Sequence, residues 1–234
     1  MKRSVLIALL ISVFLFASTN YQELFKWYMK KAQNQDPIAQ YNIAKMYKEG
    51  KGVKKDLQKA FDWMFKSAQK GYSPAQVALA KMYILGIGIE KNYKEGYKWM
   101  KKAAMKGNKE AKLALGWMYA FGKGVDKDLK KALYWYKQAA KSGSSDAMYA
   151  IGMMYYNGVG VLKDYIQAYK WFLKAAKKNH AKAQRMLGVM YIYKQGVKKE
   201  ICKGQNIGLK RLLTTETKRL KISGTTLRCG TIKV

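Results

Sequence analysis

Two short motifs in this chain contain residue types that could support nucleophilic catalysis. Ser67-x-x-Lys70 places a hydroxyl three residues before an amine, and a further lysine and serine adjoin in Lys141-Ser142-Gly143. A serine hydroxyl needs a neighbouring base to become a nucleophile, and an amine can serve as that base. Whether either motif can work depends on the elements of structure that carry its side chains.

Metal and disulfide chemistry have few candidate residues in this sequence. His180 is the only histidine, and the only cysteines, Cys202 and Cys229, lie near or within the C-terminal tail. Zinc sites need three or four cysteine, histidine or carboxylate ligands. We therefore predict no metal site and no cofactor, place His180 at the surface, and expect the fold to be stabilised by packing.

The strongest pattern in the chain is a 36-residue repeat, and repeats of this length are typical of solenoids. A Met-Tyr pair recurs at this spacing, a G-x-G element follows it, and a tryptophan lies 20 residues before each tyrosine. We predict that the methionine and tryptophan columns form the core. The tyrosines are Tyr47, Tyr83, Tyr119, Tyr155 and Tyr191, and the tryptophans are Trp27, Trp63, Trp99, Trp135 and Trp171.

Each repeat is predicted to contain two helices, here called helix A and helix B. Helix A has apolar residues at a 3.6-residue period and ends at the G-x-G element. Its start is predicted at Asp36-Pro37, at Ser73-Pro74, and at Ser144 or Ser145, where a side-chain oxygen can cap the first backbone amides. Helix B begins at a column of good N-cap residues and ends at residues that tolerate a left-handed backbone. The predicted starts are Asp56, Asn92, Asp128, Asp164 and Glu200, and the predicted ends are Gly71, Gly107, Gly143 and Asn179.

The repeat explains both serine motifs without catalysis. Ser67 occupies a column that is alanine in the later repeats, as at Ala103 and Ala139, and Lys141-Ser142-Gly143 is the end of a helix B. A residue that replaces alanine in a core column is more simply a packing residue. We therefore predict that the protein is not an enzyme.

The repeat resembles the Sel1-like repeat, through A-x-x-x-[LI]-[GA]-x-M-Y-x-x-G-x-G-V followed by D-x-x-x-A-x-x-W-x-x-x-[AS]-A-x-x-G, over residues 21 to about 201. The resemblance implies an all-α fold, a right-handed α-solenoid of antiparallel helix pairs of TPR type, with helix A on the concave side. It also implies an adaptor in protein complexes that is periplasmic, secreted or host-directed. A few Sel1-like proteins have been labelled β-lactamases, which leaves a β-lactamase-like enzyme as a remote alternative.

The repeat also predicts how the chain is divided. A partial repeat, with helix B alone, is expected at 20–36, and four full repeats and a truncated fifth follow it. The full repeats are 37–72, 73–108, 109–144 and 145–180, and the truncated repeat is 181–202.

The N-terminus has the pattern of a secretory signal peptide. Lys2 and Arg3 precede an uncharged apolar run from Ser4 to Ala17, and small residues suit cleavage before Asn20. The run is short for a membrane span, so residues 1–19 are predicted to be a signal peptide, with an uncleaved anchor as the alternative. The expected location is the periplasm or the exterior.

The repeat fails in the C-terminal tail, residues 203–234. This segment has no aromatic residue and no alanine, but it holds six of the seven threonines. Codons that could encode residues 206–216, read from their third base, give Tyr-Trp-Ile-Glu-Lys-Ala-Ala-Asp-Asn-Gly, which matches the end of a helix B. We interpret the tail as frameshift-derived and expect it to be poorly ordered; sequencing the coding DNA tests this.

The formal net charge of +32 belongs mainly to the repeats, since the tail contributes eight basic residues and one glutamate. Helix B lysines form a solvated outer face or, alternatively, a basic surface for anionic lipid, envelope polymer or an acidic protein. Arginine is scarce, so nucleic acid is not an expected partner. The helix B lysines are Lys59, Lys66, Lys70, Lys101, Lys102, Lys137, Lys174, Lys177 and Lys178.

The predicted partner-binding groove follows helix A positions i, i+4 and i+7, opposite the core columns. These positions vary between repeats, and they would suit an extended or helical segment of a protein partner bound to a monomer. The alternative is that they pack against neighbouring helices. The groove residues are Tyr41, Lys45, Lys81, Leu113, Trp117, Tyr149, Met153 and Tyr156.

Overall fold

The computed structural model describes residues 20–196, which form ten α-helices and no β-strand. The predicted signal peptide and the tail at 203–234 lie outside these residues. The first helix, α1, spans 20–33 and is a helix B. The others are α2 Pro37–Glu49, α3 Leu57–Gln69, α4 Ser73–Leu85, α5 Tyr93–Met105, α6 Lys109–Phe121, α7 Leu129–Lys141, α8 Ser145–Asn157, α9 Tyr165–Ala176 and α10 Ala181–Ile192.

The chain divides into two compact units, the first ending at Lys127 and the second beginning at Asp128. In the first unit the described helices are α1 to α6, and α2 to α5 each pack against the next helix along the chain. In the second unit α7 to α10 pack in the same sequential way. In both units the even-numbered helices are helix A and the odd-numbered helices are helix B.

The predicted starts of helix B are confirmed for α3, α5, α7 and α9. In each, an Asp or Asn side chain at the N-cap accepts a hydrogen bond from a backbone amide of the first turn, as Asn92 does from Glu95 at 3.0 Å. The prediction that Ser73 caps α4 is wrong, because Tyr72 occupies the N-cap and provides no side-chain bond. The Ser73 hydroxyl instead accepts a hydrogen bond from Asn108 Nδ2 at 3.2 Å.

Helix A ends where the sequence predicted, and the two glycines of each loop have different roles. The first, such as Gly86 with φ +70°, takes the left-handed conformation that closes the helix. The second, such as Gly88, lies against the preceding helix B, where an added Cβ would be 2.1 Å from the Leu57 carbonyl oxygen. In the fifth repeat Lys194 stands at the first position and also has positive φ, +53°.

The methionine column is buried throughout, as predicted, with exposures of 0 to 6%. The prediction that all five tryptophans form the core is wrong. Only Trp99 is buried, because the Phe65 ring lies 5.8 Å from it, whereas Trp27 is 51% exposed and the other three are half-buried. These indoles therefore lie at the outer edge of the helix packing.

Candidate partner-binding surface

The Ser67-x-x-Lys70 motif does not form a nucleophile and base pair. Ser67 is fully buried, and its hydroxyl donates a hydrogen bond to the Pro37 carbonyl at 2.6 Å. The Lys70 ammonium donates to the Gln35 side chain, also at 2.6 Å. Ser67 therefore joins the two helices of the first repeat, and Lys70 ties this repeat to the partial repeat before it.

His180 is a capping residue, and the prediction that it is a surface residue is wrong. Its side chain is 11% exposed and its ring stacks on Tyr149 at 4.9 Å. The Nδ1 atom accepts a hydrogen bond from the Ala183 amide, while Nε2 lies 3.2 Å from an Asp146 carboxylate oxygen. Accepting at Nδ1 fixes the neutral tautomer with the proton on Nε2, which then donates to Asp146.

Neither a metal cluster nor a membrane-spanning helix is found within residues 20–196. No group of three or more histidine, cysteine, aspartate or glutamate side chains in this range is arranged to hold a metal ion. No helix in the same range combines the length and apolar character needed to cross a bilayer.

The middle position of the predicted groove is the one that reaches solvent. In the first unit Lys45 and Lys81 are exposed and Trp117 is 39% exposed, while in the second unit Met153 is half-buried. The Lys45 ammonium lies 5.7 Å from the centre of the Tyr41 ring. Lys81 forms an ion pair with Glu110, which links α4 to α6.

The first position of the predicted groove is used for packing. Tyr41 makes an edge-to-face contact with Tyr72 at 5.4 Å, and Tyr149 lies 5.6 Å from Phe172 as well as against His180. Leu113 in the same column is half-buried. Tyr41 and Tyr149 each contact the N-cap residue of the next helix A, so these two side chains cover a junction between repeats.

The third position also packs inward. The Tyr156 ring lies 5.2 Å from Tyr165, and its hydroxyl donates a hydrogen bond to Gln195 Oε1 at 2.9 Å. In the equivalent column of the first unit, the Ile84 side chain covers Gly96. The solvent-exposed strip of helix A is therefore narrower than the sequence predicted.

Two exposed residues next to this strip were missed by the sequence interpretation. Phe121 and Leu85, which are 61% and 64% exposed, follow the middle position by one helical turn. The Phe121 ring lies 5.5 Å from the Trp117 ring. The sequence contained a signal for Leu85 and Phe121. The position just before the first glycine of the loop is apolar at 85 and 121, although other apolar residues of each helix already account for its buried face. Trp117 and Phe121, together with Leu85 at the position on α4 equivalent to Phe121, are called the aromatic patch below.

Helix B carries a different surface, which is basic. The lysines predicted for its outer face are exposed, apart from the half-buried Lys137. Three of them, together with Lys31 on α1, lie over the tryptophan column with the ammonium 4.0 to 4.4 Å from the ring centre, a cation–π arrangement. These pairs are Lys31 with Trp27, Lys66 with Trp63, Lys102 with Trp99, and Lys174 with Trp171.

Comparison with known proteins agrees with this architecture. The family model described as Sel1 repeat matches five consecutive segments, 37–72, 73–108, 109–144, 145–180 and 181–201. A Sel1 repeat protein from Oxalobacter formigenes is 34% identical, with a TM-score of 0.73 over 91% of this chain and 92% of that protein.

A second solved structure is c5321, a protective antigen of uropathogenic Escherichia coli strains that displays an SLR fold. It is 32% identical, with a TM-score of 0.75 over 83% of this chain. The match covers 41% of the antigen, so this chain spans less than half of that protein's length. No curated protein matches the sequence. The predicted fold class, an all-α solenoid of antiparallel helix pairs, is confirmed.

Proposed function

Because this chain belongs to the Sel1 repeat family, we propose that it is an exported interaction scaffold that holds a segment of a protein partner on its helix A face. That face is the one that the family resemblance predicts to be concave. The observation that carries the proposal is the aromatic patch of the first unit, where Leu85, Trp117 and Phe121 are all exposed. Interface energy concentrates in residues of this kind, since a large ring buries much apolar area with few rotatable bonds.

The lysines in the same helix A column as Trp117 indicate the chemistry of the bound segment. Lys45 is exposed on α2, and Lys81 on α4 is only half-shielded by its surface ion pair with Glu110. Charge complementarity favours a partner segment with apolar anchors flanked by acidic residues. The apolar anchors would cover Trp117 and Phe121, and the acidic residues would approach the lysines.

Trp117→Ala should weaken binding of such a segment about tenfold, the effect of losing about 1.4 kcal/mol of contact energy. The free energy of unfolding should change by less than about 1 kcal/mol, because the ring is already partly in solvent. A phage-displayed library of random peptides selected on the full chain supplies the probe, and titration calorimetry of an enriched peptide measures the change.

Met105→Ala is the matched control for this test. Met105 is 75% exposed, apolar and in the same unit, but it lies at the end of a helix B. The proposal requires that Met105→Ala leave peptide binding unchanged. Equal losses in the two variants, or enriched peptides that bind Trp117→Ala as well as the wild type, would show that the aromatic patch is not the site.

Export is the part of the proposal that rests on the N-terminal sequence alone. Cleavage before Asn20 would leave a mature chain that begins where α1 begins in the structure. Mass determination of the protein recovered from the periplasm or medium of an expressing bacterium checks this. Recovery of the full-length chain with Met1 or with residues 2–19 retained would contradict cleavage.

A second candidate function, binding to an anionic surface, is favoured by the basic face of helix B. The lysines that lie over tryptophan rings are held in similar positions from repeat to repeat, which lowers the entropy cost of using them together. Binding through this face should weaken steeply between 50 and 500 mM salt, roughly the range in which the screening length becomes shorter than a side chain. Binding through the aromatic patch should change little over the same range.

A further inference from the structure

A tyrosine at the junction of the second and third repeats has two lysine ammonium groups close to its ring. Tyr93 is the first residue of α5, Lys91 precedes it in the same repeat, and Lys123 belongs to the loop that follows α6. The Lys91 and Lys123 ammonium groups lie 4.8 and 5.4 Å from the centre of the Tyr93 ring. The junction is closely packed, because a Cβ added at Gly124 would be 2.1 Å from the Tyr93 carbonyl oxygen.

The phenol of Tyr93 is in a positive environment. A hydrogen bond with Lys91, followed by the charges of Lys91 and Lys123, lowers its pKa below the ordinary value for tyrosine despite some desolvation. The N-terminal end of α5 adds the positive end of a helix dipole. The carboxylates of Glu90 and Asp126 are in the same two loops and are exposed to solvent.

The packing of the junction does not require this combination. The junction between the first and second repeats has Leu57 and Ile87 at the equivalent positions, and Gly88 makes the same close approach to the Leu57 carbonyl. A residue at the start of each helix B pairs with the residue just before the second glycine of the next loop. Along the chain, a tyrosine paired with a polar residue alternates with a leucine paired with a β-branched residue. The successive pairs are Tyr21 with Lys51, Leu57 with Ile87, Tyr93 with Lys123, Leu129 with Val159, and Tyr165 with Gln195.

We infer that Lys91, Tyr93 and Lys123 form a binding site for a tetrahedral oxyanion, a phosphate or sulfate group. Two ammonium groups supply charge and several N–H donors, and the phenol supplies one O–H donor, so three oxygens of one anion can be satisfied at once. A carboxylate offers two oxygens and a single charge, and is therefore a poorer match. This site is separate from the aromatic patch, and its existence does not depend on the proposed scaffold function.

The test uses the full chain labelled with ¹³C at tyrosine Cζ, with the Tyr93 signal assigned from Tyr93→Phe. Inorganic phosphate, inorganic sulfate and acetate are titrated separately at constant ionic strength. We expect the Tyr93 signal to move saturably with phosphate and sulfate, with a dissociation constant of roughly 1 mM, as a binding energy of about 4 kcal/mol implies. We expect acetate to bind at least tenfold more weakly. A shift that does not saturate, or equal binding of acetate, would overturn the proposal.

Two variants separate a local site from general attraction to a basic protein. Lys123→Ile installs the residue found at position 87 and should weaken phosphate binding at least tenfold. Lys109→Ile removes the same charge from an exposed position on α6 and should leave binding within twofold. The double variant Leu57→Tyr with Ile87→Lys should create a second phosphate site that is reported by the new tyrosine. Equal effects of Lys123→Ile and Lys109→Ile, or no second site in the double variant, would contradict the inference.

Discussion

Replacing Gly88 with alanine should lower the free energy of unfolding by about 3 kcal/mol or more, whereas Gly86→Ala should cost about 1 kcal/mol. Both glycines have φ of +70°, so an alanine at either position has the same conformational cost. They differ in what surrounds them. A Cβ at Gly86 would meet atoms at 3.5 Å or more, while a Cβ at Gly88 would be 2.1 Å from the Leu57 carbonyl oxygen.

The close contact at Gly88 involves backbone on both sides, and no side-chain rotation can relieve it. The loop must move away from the N-terminus of α3, which separates two repeats whose mutual packing stabilises each of them. Urea denaturation of the two variants, followed by circular dichroism, measures the difference. A Gly88→Ala protein as stable as Gly86→Ala would show that the loop and α3 are not in contact.

The sequence predicted most of the helix caps well, because a cap depends on local chemistry. An N-cap residue such as Asn92 satisfies backbone amides within its own first turn, and Gly86 closes its own helix. These requirements repeat in every unit, so the spacing alone reveals them. Gly88 is different, since its second requirement is the proximity of a helix from the preceding repeat.

The sequence was less informative where burial depends on a neighbouring side chain. Trp63 and Trp99 occupy the same column, but the ring of Phe65 adds cover to Trp99. Likewise, Tyr149 was predicted to face solvent, and it is instead stacked on His180, a residue that caps the following helix. A hydrophobic period identifies the face of a helix, but it does not show how far the next repeat extends over that face.

The candidate surface shows the same limit. Trp117 was correctly placed at an exposed position of helix A, because its column is opposite the buried methionines. Its neighbour in the aromatic patch, Phe121, lies one turn further along and was not included. The helical period could have predicted that Phe121 is close to Trp117. However, Phe121 is the last residue of α6, directly before the glycine loop, and the period alone does not show whether such a terminal residue is buried or exposed.

Gly152→Ala should destabilise the second unit by about 2 to 3 kcal/mol, the range for forcing an extra methyl group into a packed core. Gly152 lies inside α8, and a Cβ there would be 2.6 Å from two ring carbons of Phe172. Phe172 is fully buried, so a shift of its ring would disturb the side chains packed around it. Within residues 20–196, no atom lies within 4 Å of a Cβ added at Gly188, the equivalent residue of the next repeat.

Gly188→Ala is therefore the matched control, and it should be neutral or stabilise α10 by up to about 1 kcal/mol, the helix propensity difference between the two residues. The earlier repeats also indicate how the damage at Gly152 can be repaired. Ala44 and Ala80 occupy the same column, and the residue 20 positions later is Met64 or Met100 in place of phenylalanine.

The double variant Gly152→Ala with Phe172→Met should accordingly recover most of the lost stability, because a flexible methionine can leave room for the methyl group. Phe172→Met alone should be destabilising, since it leaves a gap above the glycine. A double-mutant cycle measured by thermal and urea unfolding gives the coupling energy between the two positions. Additive effects would show that the glycine in α8 is not selected by the ring it faces, and that the pairing of alanine with methionine in the first two repeats has another cause.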